Sequence, residues 1–108
     1  MFIELKNESD NDVNFTNSDG MTGLYFAAME GHLQIVQYLV SEGAKIDTRD
    51  NQGITAFVWA SYKGHLSVCE YLLSLSSNAI IKSDGATAIK FAKHRRHKEI
   101  VSLIEPLM

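Results

Sequence analysis

The residues best equipped for metal binding or proton transfer are four histidines and one cysteine. His65 and Cys69 stand four apart, a spacing that places an imidazole and a thiol on one helix face, where they could share a metal. His94 and His97 stand three apart, also on one face, but no third ligand lies near them in sequence, and zinc needs three or four. Several serines are present, yet none has a histidine and an acid in a recognisable nucleophilic arrangement. No Gly-x-Gly-x-x-Gly, Gly-x-x-x-x-Gly-Lys-Thr/Ser or Gly-x-Ser-x-Gly pattern occurs, so the phosphate-cradling and nucleophile-elbow chemistries have no sequence basis. These observations point away from an enzyme and from any bound cofactor or metal.

What the histidines do have is a period. His32, His65 and His97 are 33 and 32 residues apart. Thr22, Thr55 and Thr87 keep the same spacing, and so do Ala27, Ala60 and Ala92. From each threonine to its histidine the distance is always ten, so the one-residue deletion falls after the second unit, near Ser76-Ser77-Asn78. A deletion is best tolerated in a loop. On this register Cys69 matches Val36 and Val101, which makes it a small buried hydrophobe and not a ligand.

Each unit reads as two short helices. The first covers about Gly23–Glu30, with Leu24, Ala27 and Ala28 on one face. The second covers about Leu33–Ser41, with Ile35, Val36, Leu39 and Val40 forming a broad apolar face. Unit two repeats this with Phe57, Ala60 and Ser61, then Val68, Cys69, Leu72 and Leu73. Unit three gives Ile89 and Ala92, then Ile100, Val101 and Ile104. Gly31 and Gly64 separate the helices, and Gly43 stops the second helix of unit one. Thr48-Arg49-Asp50-Asn51-Gln52-Gly53 is turn chemistry. A helix pair this short buries its apolar face only by stacking on the next pair. Phe26, Trp59 and Phe91 share one repeat position and are expected to fill the space between successive pairs. The fold class is all-α, a solenoid of stacked antiparallel helix pairs joined by turns and hairpin-like loops.

With 108 residues, 45% hydrophobic and 21% charged, the chain has the composition of one small globular domain. The single cysteine leaves no disulfide framework and suits a reducing compartment. No apolar run approaches the ~20 residues of a membrane span, and the start shows no basic n-region or long apolar h-region. An intracellular location, cytoplasmic or nuclear, is expected. The net charge of −3 divides unevenly. Residues 1–50 carry nine acids and three bases, whereas residues 51–108 carry four acids and seven bases. The basic side chains gather in Lys90, Lys93, Arg95, Arg96 and Lys98. That run reads as a solubilising terminal face or as a contact for an acidic protein, RNA or another polyanion.

The repeated residues resemble the ankyrin repeat, whose pattern runs Gly-x-Thr-Pro-Leu-His-x-Ala-Ala-x-x-Gly-His, an amphipathic helix, then Gly-Ala-x-x-Asn. Unit one answers with Gly20-Met21-Thr22-Gly23-Leu24-Tyr25-Phe26-Ala27-Ala28-Met29-Glu30-Gly31-His32. Unit two answers with Gly53-Ile54-Thr55-Ala56-Phe57-Val58-Trp59-Ala60-Ser61-Tyr62-Lys63-Gly64-His65. Unit three answers with Gly85-Ala86-Thr87-Ala88-Ile89-Lys90-Phe91-Ala92. The family's Pro and His are replaced throughout, by Gly23 and Tyr25, Ala56 and Val58, and Ala88 and Lys90, which predicts weaker units. Lys93 and Arg96 replace a small residue and a glycine in unit three, as suits a terminal unit facing water. The expected division is a truncated N-terminal half-repeat or cap over 1–17, repeats over 18–51 and 52–83, and a C-terminal capping repeat over 84–108.

The resemblance implies a monomeric protein-interaction module, an adaptor or inhibitor. It takes its partner on a concave face made by the turn tips and first helices. Carried over by position, that face holds Asp19, Met21, Met29 and Glu30 in unit one. Unit two gives Arg49, Asn51, Gln52, Ile54, Tyr62 and Lys63, and unit three gives Asp84, Ala86, His94 and Arg95. Tyr62, Met29 and Arg49 are the expected centre, since aromatic residues and Arg dominate interfaces. A structural subunit anchored by its basic C-terminal run, with a contact to RNA or another polyanion, is the alternative.

Overall fold

Thr22 and Thr55 open the first helix of units one and two in the same way. Each has extended backbone, and each hydroxyl accepts a hydrogen bond from the amide three residues on, Tyr25 and Val58, at 3.4 Å. That satisfies one of the free amides at a helix start. In the computed structural model, which describes residues 13–108, the helices are α1 (Gly23–Glu30), α2 (Leu33–Ser41), α3 (Ala56–Lys63), α4 (Leu66–His94) and α5 (Lys98–Ile104). A 3-10 turn over Glu105–Leu107 follows. Among the described residues there is no strand. The N-terminal helix expected over Phe2–Lys6, and most of the half-repeat expected over 1–17, lie outside the described residues. At the edge of that region Asn14 Oδ1 accepts from the amide of Lys45 at 2.8 Å, so residue 14 docks on the end of unit one.

The core runs through the stack without interruption. Leu24, Ala28, Val36, Ala56, Phe57, Ala60, Val68, Leu72, Ala88, Ala92, Ile100 and Ile104 are all buried. The small residues on α1 and α3 let the helices approach closely, and the larger side chains of the second helices fill the space behind them. Truncating a fully buried residue such as Leu72 would cost about 2–5 kcal/mol. The result is a short rod with principal extents of 43 × 24 × 23 Å. No described helix is long and apolar enough to cross a membrane.

One expectation fails and a second holds only in part, each for a physical reason. The first concerns the turn before the third unit. It is not formed, because α4 carries the chain from the second helix of unit two into the first helix of unit three. Its single break is Ser76, at φ −164° and ψ 59°. Ser76 stands 33 residues after Gly43, which turns the chain away from α2 at φ +95°. A serine resists that left-handed conformation, so the chain kinks for one residue and resumes helix. Thr87 is therefore an exposed mid-helix residue and not a cap.

The second concerns the aromatic residues expected between the helix pairs. Phe26 is 40% exposed, and Trp59 and Phe91 are only partly buried. A helix turns about 100° per residue. Phe26 thus lies about 200° round from buried Leu24, as Trp59 does from Phe57 and Phe91 from Ile89. Phe26 turns to solvent, whereas Trp59 and Phe91 pack against the outer side of the core and meet Tyr62 where unit two faces unit three.

Candidate functional site

The turn tips of units one and two are built alike. Asn17 Oδ1 accepts from the amides of Asp19 and Met21 at 2.9 and 3.0 Å. Thirty-three residues later, Asp50 Oδ1 accepts from the amides of Gln52 and Ile54, both at 2.9 Å. A side chain that bonds its own backbone two residues on is the mechanism by which Asn and Asp set turns. The tips stack through Asn51, whose amide donates to the Asp19 carbonyl at 3.0 Å and whose Nδ2 donates to the Ser18 carbonyl at 2.8 Å. Tyr25 anchors the second tip from below: its hydroxyl lies on the carbonyl oxygens of Thr48 and Ile54. Burial and the nearby Asp50 push the Tyr25 phenol well above its ordinary pKa.

The third tip has lost these devices. Lys82 occupies the place of Asn17 and Asp50 and cannot accept the turn amides. Val58 occupies the place of Tyr25 and has no hydroxyl with which to hold a tip. Asp84 and Ala86 consequently sit on α4, with Ala86 exposed and Asp84 buried. Asp84 faces inward, where Oδ1 takes Arg49 Nη1 at 3.1 Å and Oδ2 takes the Thr55 hydroxyl at 3.4 Å. Arg49 also donates to the Gly53 carbonyl at 3.0 Å. Two residues expected to face a partner thus bind each other.

The outer sides of α1, α3 and the end of α4 carry aromatic residues, Phe26 exposed and Trp59, Tyr62 and Phe91 partly buried. Tyr62 forms edge-on contacts with Trp59, centroids 5.9 Å apart, and with Phe91, 5.8 Å apart. The Arg95 guanidinium lies over the Tyr62 ring at 4.7 Å. Trp59 Nε1 donates to Asp50 Oδ2 at 3.0 Å, which fixes the indole against the second tip. Burial alone would raise the Asp50 carboxyl. Its hydrogen bonds from Trp59, Ile54 and Gln52 outweigh burial and hold it below the ordinary carboxylate pKa. Of the residues chosen from sequence, Met21, Met29, Ile54 and Tyr62 are partly buried, while Asp19, Glu30, Asn51, Gln52, Lys63, His94 and Arg95 are exposed. Phe26, Trp59 and Phe91 were missed, although their place on the helical wheel relative to Leu24, Phe57 and Ile89 was available.

The basic run divides. Arg95 joins Tyr62, and Lys93 pairs with Glu105 at 3.2 Å with both side chains exposed. Lys93, Arg96, His97, Lys98, Val101 and Ser102 line an open groove of about 560 Å³. His65, His97 and the thiol are engaged in packing. His65 Nε2 lies 2.8 Å from the Met29 carbonyl oxygen, and His97 Nε2 lies 3.0 Å from that of Tyr62. Cys69 is fully buried, 3.5 Å from the Ser61 hydroxyl, and burial pushes its thiol up to about 11. Since the thiolate is the reactive form, this is an inert cysteine.

A family model described as ankyrin repeats, three copies, matches residues 1–83. The chain is also similar to the mouse (Mus musculus) ankyrin repeat and SAM domain-containing protein 6, at 46% identity over 48 residues. That alignment takes in 44% of this chain and 5% of the mouse protein, so the chain spans a small part of this relative's length.

Proposed function

The chain belongs to the ankyrin-repeat family, whose repeats are protein-interaction modules, and we propose that it is a non-enzymatic adaptor or inhibitor binding one protein partner across its turn tips and first helices. The observation that carries this reading is the aromatic surface made by exposed Phe26 and by partly buried Trp59, Tyr62 and Phe91. Large aromatic side chains left partly open to solvent are the residue types that dominate interface energetics. Met29, Lys63, His94 and Arg95 border them, while Asp19, Met21, Asn51, Gln52 and Ile54 extend the surface along the tips. Arg49 and Asp84 support it from beneath through their ion pair. The expected setting is intracellular, and the chain is monomeric on its own.

The test is capture of partners by the full chain, with identification by mass spectrometry, beside Phe26→Ala, Tyr62→Ala and Gln37→Ala forms. Gln37 is exposed on α2, away from the aromatic surface. A stoichiometric partner lost by the first two and kept by the third supports the reading. A partner that all three retain refutes it.

The basic groove of Lys93, Arg96 and Lys98 favours a second reading, a subunit held through this end by RNA or another polyanion. Lys90 and Arg95 would extend the contact. Binding to a polyanion would fall steeply with salt, and a response that is absent even at low salt removes this reading.

A further inference from the structure

The tip-and-helix face carries an aromatic cluster at Tyr62, and the exposed charges beside it on α3 and α4 are basic, while the acid of the neighbouring unit, Glu30, stands at the end of α1. Tyr62 is held edge-on by Trp59 on one side and Phe91 on the other. The Arg95 guanidinium carbon lies over its ring, 4.7 Å from the centroid. Lys63 follows Tyr62 at the end of α3, and Lys90 and His94 flank Phe91 on α4, all three exposed. Asp50, the acid that accepts from the Trp59 indole, is buried and also committed to two turn amides. None of Lys63, Lys90 and Arg95 has an ion-pair partner among the described residues, whereas Arg49 and Lys93 do.

A guanidinium held over an aromatic ring is already desolvated on that side and has lost part of its freedom, while its other N–H groups stay open to a partner. That is the arrangement for receiving a carboxylate, because less side-chain freedom is lost when the bond forms. The aromatic edges beside it offer contact to an aliphatic or aromatic side chain. Stacking of a nucleobase on Tyr62 is opposed, since Arg95 covers one face of the ring and its neighbours meet it edge-on.

We infer that the Tyr62 cluster docks an acidic peptide segment of a partner protein, one that lays an apolar side chain across the exposed edges of Trp59, Tyr62 and Phe91 and sets carboxylates against Lys63, His94 and Arg95. This rests on the docking face proposed above and adds the chemistry of its occupant. The anchor supplies affinity, and the charges supply orientation and rate of encounter.

The experiment is selection of a displayed library of random 12-residue peptides on the intact chain. Recovered sequences are then synthesised and titrated against the fluorescence of Trp59, the only tryptophan. Enrichment of peptides combining Asp or Glu with Leu, Ile, Phe or Trp is expected. So is an affinity that falls about tenfold in Arg95→Glu and in Lys63→Glu, falls with salt, and is lost in Tyr62→Ala. Both charged positions are exposed, and thermal melting of each variant confirms folding. Neutral or basic peptides whose binding still needs Tyr62 overturn the acidic occupant and leave the docking face standing. Recovery of no peptide, or of peptides indifferent to Tyr62→Ala and Arg95→Glu alike, overturns both. Tight binding of a uridine oligonucleotide, lost in Arg95→Glu, overturns the peptide in favour of nucleic acid.

Discussion

The imidazole of His97 occupies the space that a Cβ on Gly64 would need, since a carbon added there would come within 2.6 Å of the ring. The same ring reaches past the glycine to the Tyr62 carbonyl at 3.0 Å. A carbonyl can only accept, so Nε2 carries the proton. His65 and Gly31 repeat the arrangement one unit earlier, again with a 2.6 Å clearance. His65 and His97 are joints between successive helix pairs.

Gly64→Ala therefore meets two penalties, its φ of +86° and the His97 ring. Gly53→Ala meets one, since Gly53 has a φ of +79° with open space around it. Urea unfolding should show a loss of about 1–2 kcal/mol for Gly53→Ala and clearly more for Gly64→Ala. Equal losses would mean that the ring contact contributes nothing. At the corresponding place in unit three, Arg96 adopts φ +63° despite its side chain. Arg96→Gly should raise stability by about 1 kcal/mol.

Asp50 makes the stack sensitive to acid. Its folded pKa lies below the unfolded value of 3.8. Its contribution is therefore fully present above that value and lost as pH falls through the lower, folded pKa. Unfolding midpoints measured from pH 6 downward should fall below about pH 4 more steeply in the parent than in Asp50→Asn, whose side chain does not titrate there. Asp50→Ala leaves the Trp59 indole and two turn amides without their acceptor. It should cost about 1–3 kcal/mol at neutral pH and shift the emission of Trp59. Parallel pH profiles for parent and Asp50→Asn would remove Asp50 from this role.

The Arg49–Asp84 pair ties the second turn tip to α4. Arg49 is 46% exposed and Asp84 only 9%, so solvent screens the attraction in part. A double-mutant cycle on Arg49→Gln and Asp84→Asn should return a coupling of about 1 kcal/mol. Arg49→Glu should cost more, because it sets a second carboxylate against a shielded one. Loss of partner binding in Arg49→Glu would thus report damage to the fold as readily as a missing contact. A coupling of zero would free Arg49 to be read as a surface residue.

Much of this architecture could be read from residue types at a fixed period. The bounds of α1 and α2 follow from Thr22, Gly31, His32 and Gly43, and the recurrence of those positions placed α3 as well. The aromatic surface escaped because Phe26, Trp59 and Phe91 were weighed by hydrophobicity and not by angle around the helix. The third tip escaped because Gly85 and Thr87 recur in register, while the groups that build a tip stand elsewhere. A tip needs an acceptor for its turn amides, a residue that tolerates positive φ after the preceding helix, and a donor beneath it. Lys82, Ser76 and Val58 supply none of these. Repeat signatures mark helix faces more faithfully than loops, because a helix face is fixed by many contacts and a turn by two or three hydrogen bonds.

Proline separates the two kinds of unit at one repeat position. Ala56 is the first residue of α3 behind its Thr55 cap, where a proline replaces an amide with no helical partner and a ring pre-sets φ. Ala56→Pro should raise stability by about 0.4–1 kcal/mol by narrowing the unfolded ensemble. Ala88 stands at the equivalent place after Thr87 but lies inside α4, with helix on both sides. There a proline removes a hydrogen bond and drives its ring against the carbonyl of Asp84, so Ala88→Pro should cost about 3 kcal/mol or more. Thermal melts of the two variants should move in opposite directions, with a loss of helical circular dichroism confined to Ala88→Pro. If both variants gain stability, the segment 77–94 is not one helix. Asp84 then returns to a turn tip, where it could reach a partner instead of Arg49.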